Sequence, residues 1–306
     1  MKLARVLVFL LLAATAALAD PIRGITITEG TVYLNPDLNS EKLSRIVRGR
    51  EVVLLDTSHE WIHVLATTDP EHEITGWMLH RDVILTTDPN GDQLLYGEAV
   101  NCEAEASRRH GRKGAAQDAM WIYSLLAEQY PKSPLAGAAS YRAADIRWQL
   151  EKADVFSLPS AKERDPGMRH EIDDEWIKQV EKKFPNTKWA DLAAWDTIDN
   201  KICGEWQGDP KCPEKESEIY LKYVEQHPQS PKAAEALYEA AWRQGALVDM
   251  YKSREEKDKA QKARAKAIDI AHRITSQYSQ TDWGPRAQRL IYMLEQEIPT
   301  YGNATD

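Results

Sequence analysis

The chain carries one hydrophobic pattern four times. It is anchored on Tyr130-Pro131-Lys132-Ser133, Phe184-Pro185-Asn186-Thr187, His227-Pro228-Gln229-Ser230 and Tyr278-Ser279-Gln280-Thr281. Four residues before each leading aromatic or histidine stand Leu126, Val180, Tyr223 and Ile274; eight before it stand Ile122, Trp176, Ile219 and Ile270. An apolar residue at every fourth position is one stripe of a helix. Past each Ser or Thr, the third residue is small (Ala136, Ala190, Ala233, Gly284) and the sixth is alanine every time (Ala139, Ala193, Ala236, Ala287). The eighth is Tyr141, Trp195 and Tyr238, with Arg289 breaking the set. Each unit therefore reads as a first helix that stops at the aromatic, then a Ser/Thr N-cap, with Pro134 or Pro231 at the first helical position. The second helix carries small residues that let the pair approach closely. One such pair cannot bury its stripe alone, and stacking makes the core continuous. Residues 115–299 are thus expected to form about four stacked helix pairs, with 300–306 as a tail. The anchors stand 54, 43 and 51 residues apart, more than the roughly 34 of a strict helix-pair repeat. The excess is assigned to insertions at 155–169, to the loop around Cys203 and Cys212, and to a long charged helix near 250–266.

Upstream the period changes. Arg50 to Leu55 is β-rich and is followed by a turn at Asp56-Thr57-Ser58. Then come Trp61-Ile62-His63-Val64, a polar loop from Thr67 to Glu73, and Gly76-Trp77-Met78. Short strands separated by turn signals suggest a small all-β barrel over 20–88. Asp88-Pro89-Asn90-Gly91-Asp92 is a turn cluster, and the charged stretch after it reads as a linker over 89–114. Residues 1–19 read as a secretory signal: Lys2 and Arg5, an apolar run from Val6 to Leu12, and Ala17-Leu18-Ala19 before Asp20. The apolar stretch to Ala19 is shorter than the roughly 20 residues a membrane-spanning helix needs. The expected product is soluble and exported, periplasmic or extracellular, with no transmembrane segment.

Two families are resembled. Val32-Tyr33-Leu34-Asn35-Pro36-Asp37, Ser44 to Val52, Trp61-Ile62-His63-Val64 and Thr75-Gly76-Trp77-Met78 together resemble the bacterial SH3-like (SH3b) domain over some sixty residues. "Trp-x-x-Val" followed by "Gly-Trp" is the most specific part. The resemblance implies a ligand groove, with Tyr33, Trp61 and Trp77 as its candidate residues and a peptide or a cell-wall stem peptide as its ligand. The loop at Tyr33 to Asp37 departs from the family's Asn-Val-Arg-Ser-Gly-Pro type and leaves the ligand open. The set "Tyr-Pro-x-Ser-x-x-Ala-x-x-Ala-x-Tyr" resembles periplasmic tetratricopeptide proteins of the bacterial envelope over most of 119–297. Lipoproteins of that group carry a lipidated cysteine directly after the signal; here the position is Asp20, so lipid anchoring does not carry over. The resulting fold class is multidomain: a small SH3-like barrel followed by an all-α tetratricopeptide-like solenoid.

Charge narrows the partners. The sequence holds 48 acidic and 39 basic residues, net −9, and both bases of the leader would be lost on export. Such a balance argues against nucleic acid or anionic lipid as a general partner. The basic cluster at Arg108 to Lys113 is short, and the bases from Lys252 to Lys266 alternate with Glu255, Glu256, Asp258 and Asp269, the pattern of a solvated helix face. The acidic runs Asp173-Asp174-Glu175 and Glu214 to Glu218 sit where helix starts favour negative charge. Of three cysteines, Cys203 and Cys212 bracket a turn-rich loop and are expected to form a disulfide in an oxidising compartment. A zinc site would want closer spacing and a fourth ligand. Cys102 is left over, as a thiol, an intermolecular bridge or a competitor in the pairing.

His59-Glu60-Trp61-Ile62-His63 matches the H-E-x-x-H zinc signature, which needs both histidines one helical turn apart. In a strand, at about 3.3 Å per residue, they would lie about 13 Å apart and could not share a metal. No phosphate loop, nucleophile elbow or Cys/His dyad is found, so no catalytic residue, cofactor or metal is assigned. Trp121, Trp176 and Trp195 are assigned to core. Asn303-Ala304-Thr305 matches a glycosylation sequon that carries no weight in a bacterial context. The reading is a non-enzymatic adaptor for envelope proteins or peptides. Cell-wall recognition through the barrel stands as the first alternative, and a zinc hydrolase through His59 and His63 as the second.

Overall fold

The structure, a computed structural model, describes residues 21–69 and 72–301. The signal at 1–19 and the sequon at 303–305 lie outside the described residues. The chain divides into two compact units, one ending at Pro89 and one beginning at Asn90.

The first unit is an antiparallel sheet of β1 (Arg23–Thr26), β2 (Gly30–Tyr33), β3 (Lys42–Ile46), β4 (Glu51–Ser58), β5 (Trp61–Asp69), β6 (His72–Leu79) and β7 (Val83–Leu85). Its order is β3-β2-β6-β5-β4-β1-β7. The edge strands β3 and β7 are not paired with each other, so the sheet is not closed into a barrel. Alternation explains the core: Ile62, Val64 and Ala66 of β5 are buried with Val32, Ile46, Val52, Met78, Val83 and Leu85. Two turns differ from the sequence reading. Strand β4 runs through Asp56-Thr57-Ser58, and the reversal falls at His59, whose φ of 55° is left-handed. The expected polar loop at 67–73 shrinks because pairing continues from Thr67↔Glu73 to Asp69↔His72 across an irregularity in the register.

The second unit is helical. Its α-helices are α1 (Gly91–Ala106), α2 (Ala115–Gln129), α3 (Ala136–Ser157), α4 (Glu175–Lys183), α5 (Lys188–Asp196), α6 (Lys211–Gln226), α7 (Ala233–Ser253), α8 (Lys257–Gln277) and α9 (Trp283–Glu295). Helix α1 corrects the expected linker over 89–114. Leu95, Ala99 and Cys102 lie on one face of it and are buried against the unit, and α1 packs on α2. The apolar face outweighs the turn residues at its start, and Asn90 stands before the first turn in a left-handed conformation, without a side-chain capping bond.

The fourfold pattern maps onto four helix pairs: α2/α3, α4/α5, α6/α7 and α8/α9. Tyr130, Phe184, His227 and Tyr278 each end a first helix, with the backbone N–H donating to the carbonyl of Leu126, Val180, Tyr223 and Ile274 respectively. Ala139, Ala193, Ala236 and Ala287 are each 0 % exposed. A methyl is all the space between the paired helices holds there, and a larger side chain would overpack it. Only Thr187 caps as expected, accepting the Ala190 N–H at 3.4 Å. Ser133 and Ser230 instead accept from Leu135 and Lys232, at 3.1 and 3.0 Å. Their helices begin at Ala136 and Ala233, so Pro134 and Pro231 precede the helix rather than open it. The long charged helix expected near 250–266 is two helices, broken at Glu255 by a left-handed φ of 60°. The insertion at 155–169 holds two short 3-10 turns, Pro159–Lys162 and Pro166–Met168. Trp148 is the fully buried tryptophan of the α3–α5 core, whereas Trp121, Trp176 and Trp195 are half-buried.

Candidate functional site

The three aromatics of the expected groove are brought together by strand register. Tyr33 on β2 pairs with Trp77 on β6, and Trp61 on β5 pairs with Leu79. Gly76 makes this possible, because a Cβ there would meet the Tyr33 carbonyl oxygen at 2.7 Å. The result is a packed cluster and not an open groove. Tyr33 and Trp61 stand edge to face at 5.4 Å and are 9 % and 6 % exposed. Trp77 is half-buried and stacks on His63 at 4.9 Å. His63 lies in β5 and His59 in the turn before it, so the H-E-x-x-H segment forms no helical turn.

The loop between α5 and α6 is held by one buried carboxylate. The sulfurs of Cys203 and Cys212 lie 2.17 Å apart. Cys102 is buried on α1, its thiol 3.6 Å from Glu98 Oε1. Glu216, on the inner face of α6, accepts the Cys203 backbone N–H at 3.0 Å and the Trp206 indole N–H at 2.9 Å. It also accepts Arg243 Nε from α7 at 2.7 Å. Arg243 further bonds Glu239 and lies 4.5 Å over the Tyr220 ring. Trp206 makes tilted ring contacts with Trp242 and Tyr301, at 5.2 and 5.5 Å, and all three line a pocket of about 570 Å³. The polar groups beneath these rings bond one another, so the arrangement fixes the loop. Reduction of the Cys203–Cys212 pair is expected to lower stability by about 2–3 kcal/mol through loop entropy. Thermal melts with and without reductant measure this, and non-reducing peptide mapping shows the pairing.

Two grooves share one layout, walled by successive first helices and floored by the second helix between them, but they lie at opposite ends of their helix pairs. One is walled by α2 and α4 and floored by α3; Trp176, Gln179 and Lys183 face Ser124 and Glu128 across Ala143, in about 450 Å³. The other is walled by α6 and α8 and floored by α7, in about 420 Å³. Its floor is Gln244, Leu247 and Tyr251, its α6 wall bears Glu214 and Glu218, and its α8 wall bears Lys259, Lys262 and Lys266. Gln244 is 5 % exposed, and its side-chain amide bonds no described residue. Sequence assigned Trp176 to core, Glu214 to Glu218 to helix-start charge and the bases up to Lys266 to a solvated face, so neither groove was singled out as a site. A signal existed: Gln244 interrupts the stripe Leu237, Ala240/Ala241, Leu247/Val248, Tyr251, and a polar residue at a core position needs a partner.

No family model matches the chain, and no curated protein matches it. Among solved structures it is similar to a de novo designed helical repeat protein, DHR64, at 15% identity and a TM-score of 0.25. That match covers 68% of this chain and 94% of the other. It is also similar to the DHF79 and DHF119 filaments, each at 15% identity and a TM-score of 0.24. The first covers 65% of this chain and 95% of the other, the second 67% and 92%.

Proposed function

We propose that the chain is an exported, non-enzymatic adaptor that binds protein or peptide partners in the bacterial cell envelope through its helical unit. In this reading the first unit is an SH3-like fold and the second a tetratricopeptide-like array. The observation that carries it is that successive first helices wall a groove floored by the second helix between them in two places, at α2/α4 beside the anchor turn and at α6/α8 toward the other end of the helices. Surfaces between stacked helix pairs are where such arrays hold extended partners. The acidic balance fits a protein-directed role better than a polyanion-directed one. Export rests on the leader pattern at 1–19. Among the described residues no helix is long and apolar enough to cross a membrane.

Cell-wall recognition would have to use the first unit. Burial of Tyr33 and Trp61 leaves Trp77 and its partner His63 as the accessible part of that cluster. Pull-downs from the native envelope with the full chain, residues 21–89 and residues 90–306 separate the two readings; the cut follows the unit boundary and keeps α1 with α2. The helical fragment is expected to recover the partners of the full chain. Recovery by 21–89 alone, together with its co-sedimentation with peptidoglycan, would make the helices a spacer.

A further inference from the structure

We propose that the groove between α6 and α8 binds an extended peptide segment whose side chains alternate acidic, basic, acidic. The inference rests on the adaptor reading and adds the chemistry of the partner.

The groove holds groups whose bonding capacity the rest of the protein leaves unused. Gln244 is nine-tenths buried at its floor, and its amide bonds no described residue. A carboxamide offers both donors and an acceptor, which is what one peptide unit of an extended backbone presents in return. Lys262 and Lys266 on the α8 wall have no ion-pair partner among the described residues, and neither does Glu218 on the α6 wall. The other charges in the groove are engaged: Glu214 accepts the Tyr251 hydroxyl, and Lys259 pairs with Glu256 and lies 5.4 Å over the Tyr251 ring.

The spacing selects the ligand. Lys262 and Lys266 stand four residues apart, about 6 Å along the helix. In an extended chain, side chains two residues apart point the same way and are separated by roughly 6.6–6.8 Å. Two ligand carboxylates at alternate positions therefore meet the two ammonium groups in register. The residue between them points to the opposite wall, where a cation meets Glu218. A uniform polyanion would satisfy the lysines but would face Glu218, Glu214 and the protein's net charge of −9. Like charges placed opposite one another suppress the wrong partner.

The test titrates the full chain into fluorescein-labelled peptides carrying Glu-Lys-Glu, Lys-Glu-Lys or Ser-Ser-Ser between Gly-Ser flanks and reads anisotropy. The Glu-Lys-Glu peptide is expected to bind about tenfold tighter than its charge-reversed partner, with the margin shrinking as salt rises. Lys262→Glu with Lys266→Glu should abolish that preference or turn it toward Lys-Glu-Lys. Both lysines are exposed, so the double variant should melt with wild type. Gln244→Leu should weaken all three peptides alike. Equal binding of the charged peptides, absence of binding, or a preference that survives the lysine reversal overturns the proposal. If the wild-type helical unit still captures its envelope partners in that case, only the groove chemistry fails. If it captures nothing, the adaptor reading itself falls.

Discussion

Replacing Glu216 with alanine is expected to cost about 3–5 kcal/mol, the range for breaking a buried ion pair from one side. Glu216 is 1 % exposed and Arg243 is 6 % exposed. Without the carboxylate, Arg243 keeps a buried charge whose remaining close anion is Glu239, on its own helix. The Cys203 backbone N–H and the Trp206 indole N–H lose their acceptor in the same step. Each buried donor left unmade adds roughly 1–3 kcal/mol of desolvation. A surface pair of the same loop supplies the contrast. Lys162 and Glu205 lie 3.5 Å apart with side chains 77 % and 56 % exposed, and such pairs contribute about 0–1 kcal/mol. Urea denaturation should therefore show a large fall in midpoint for Glu216→Ala and almost none for Glu205→Ala. Pairing Glu216→Leu with Arg243→Leu should recover a good part of the loss, because the charge is then gone from both sides. A Glu216→Ala variant within about 1 kcal/mol of wild type would mean that the loop is not anchored through this carboxylate.

The repeat was legible because its signal is written in residues that can do only one thing. An alanine recurring six residues past every Ser/Thr marks a place with room for a methyl, and all four positions are fully buried. The aromatic or histidine at the end of each first helix was equally plain, since its backbone N–H repeats one capping bond four times. Helix α1 was obscured by its own boundary: Asn90-Gly91 is turn chemistry, and here a left-handed Asn90 leads directly into the helix at Gly91. The aromatic site misled for a different reason. The SH3-like resemblance groups Tyr33, Trp61 and Trp77, but their accessibility depends on strand register, which stacks two of them edge to face out of solvent. Glu216 was hidden inside an acidic run that looked like helix-start charge. Its spacing to Tyr220 and Tyr223 places it on the buried face of α6, and the decisive fact, Arg243 arriving from α7, is a tertiary one. The same holds for the α6–α8 groove, whose facing wall residues stand more than forty residues apart in the chain.

Asp196→Asn is expected to stabilise the protein at pH 8 and to matter little at pH 4. Asp196 is 8 % exposed at the end of α5, where its carboxylate accepts the Tyr141 hydroxyl at 3.2 Å. Burial, then the neighbouring charges of Asp145 and Asp199, push its carboxyl up from the ordinary 3.8 to about 7; the Tyr141 bond and Lys152 pull the other way. Lys152 is engaged with Asp199 at 2.6 Å, which also accepts the Trp148 indole N–H at 3.3 Å. The sign follows from which state holds the proton more tightly. The folded protein keeps Asp196 protonated over a range in which the unfolded chain has released it, so folded stability falls as pH rises between the two values. The proton-linked stabilisation is complete below about pH 4 and is gone above about pH 7, where a charged carboxylate occupies a buried site beside two others. At about 1.4 kcal/mol per unit the shift bounds the effect near 4 kcal/mol. An asparagine keeps an oxygen for Tyr141 and carries no charge at any pH, and its amide N–H groups enter a site whose other neighbours, Asp145 and Asp199, are acceptors. The stability gap between variant and wild type should therefore open from pH 4 to pH 7 and level off above it in parallel urea titrations. A gap independent of pH over that window would show that Asp196 titrates near its ordinary value and that the carboxylates between α3 and α5 do not repel one another in the folded protein.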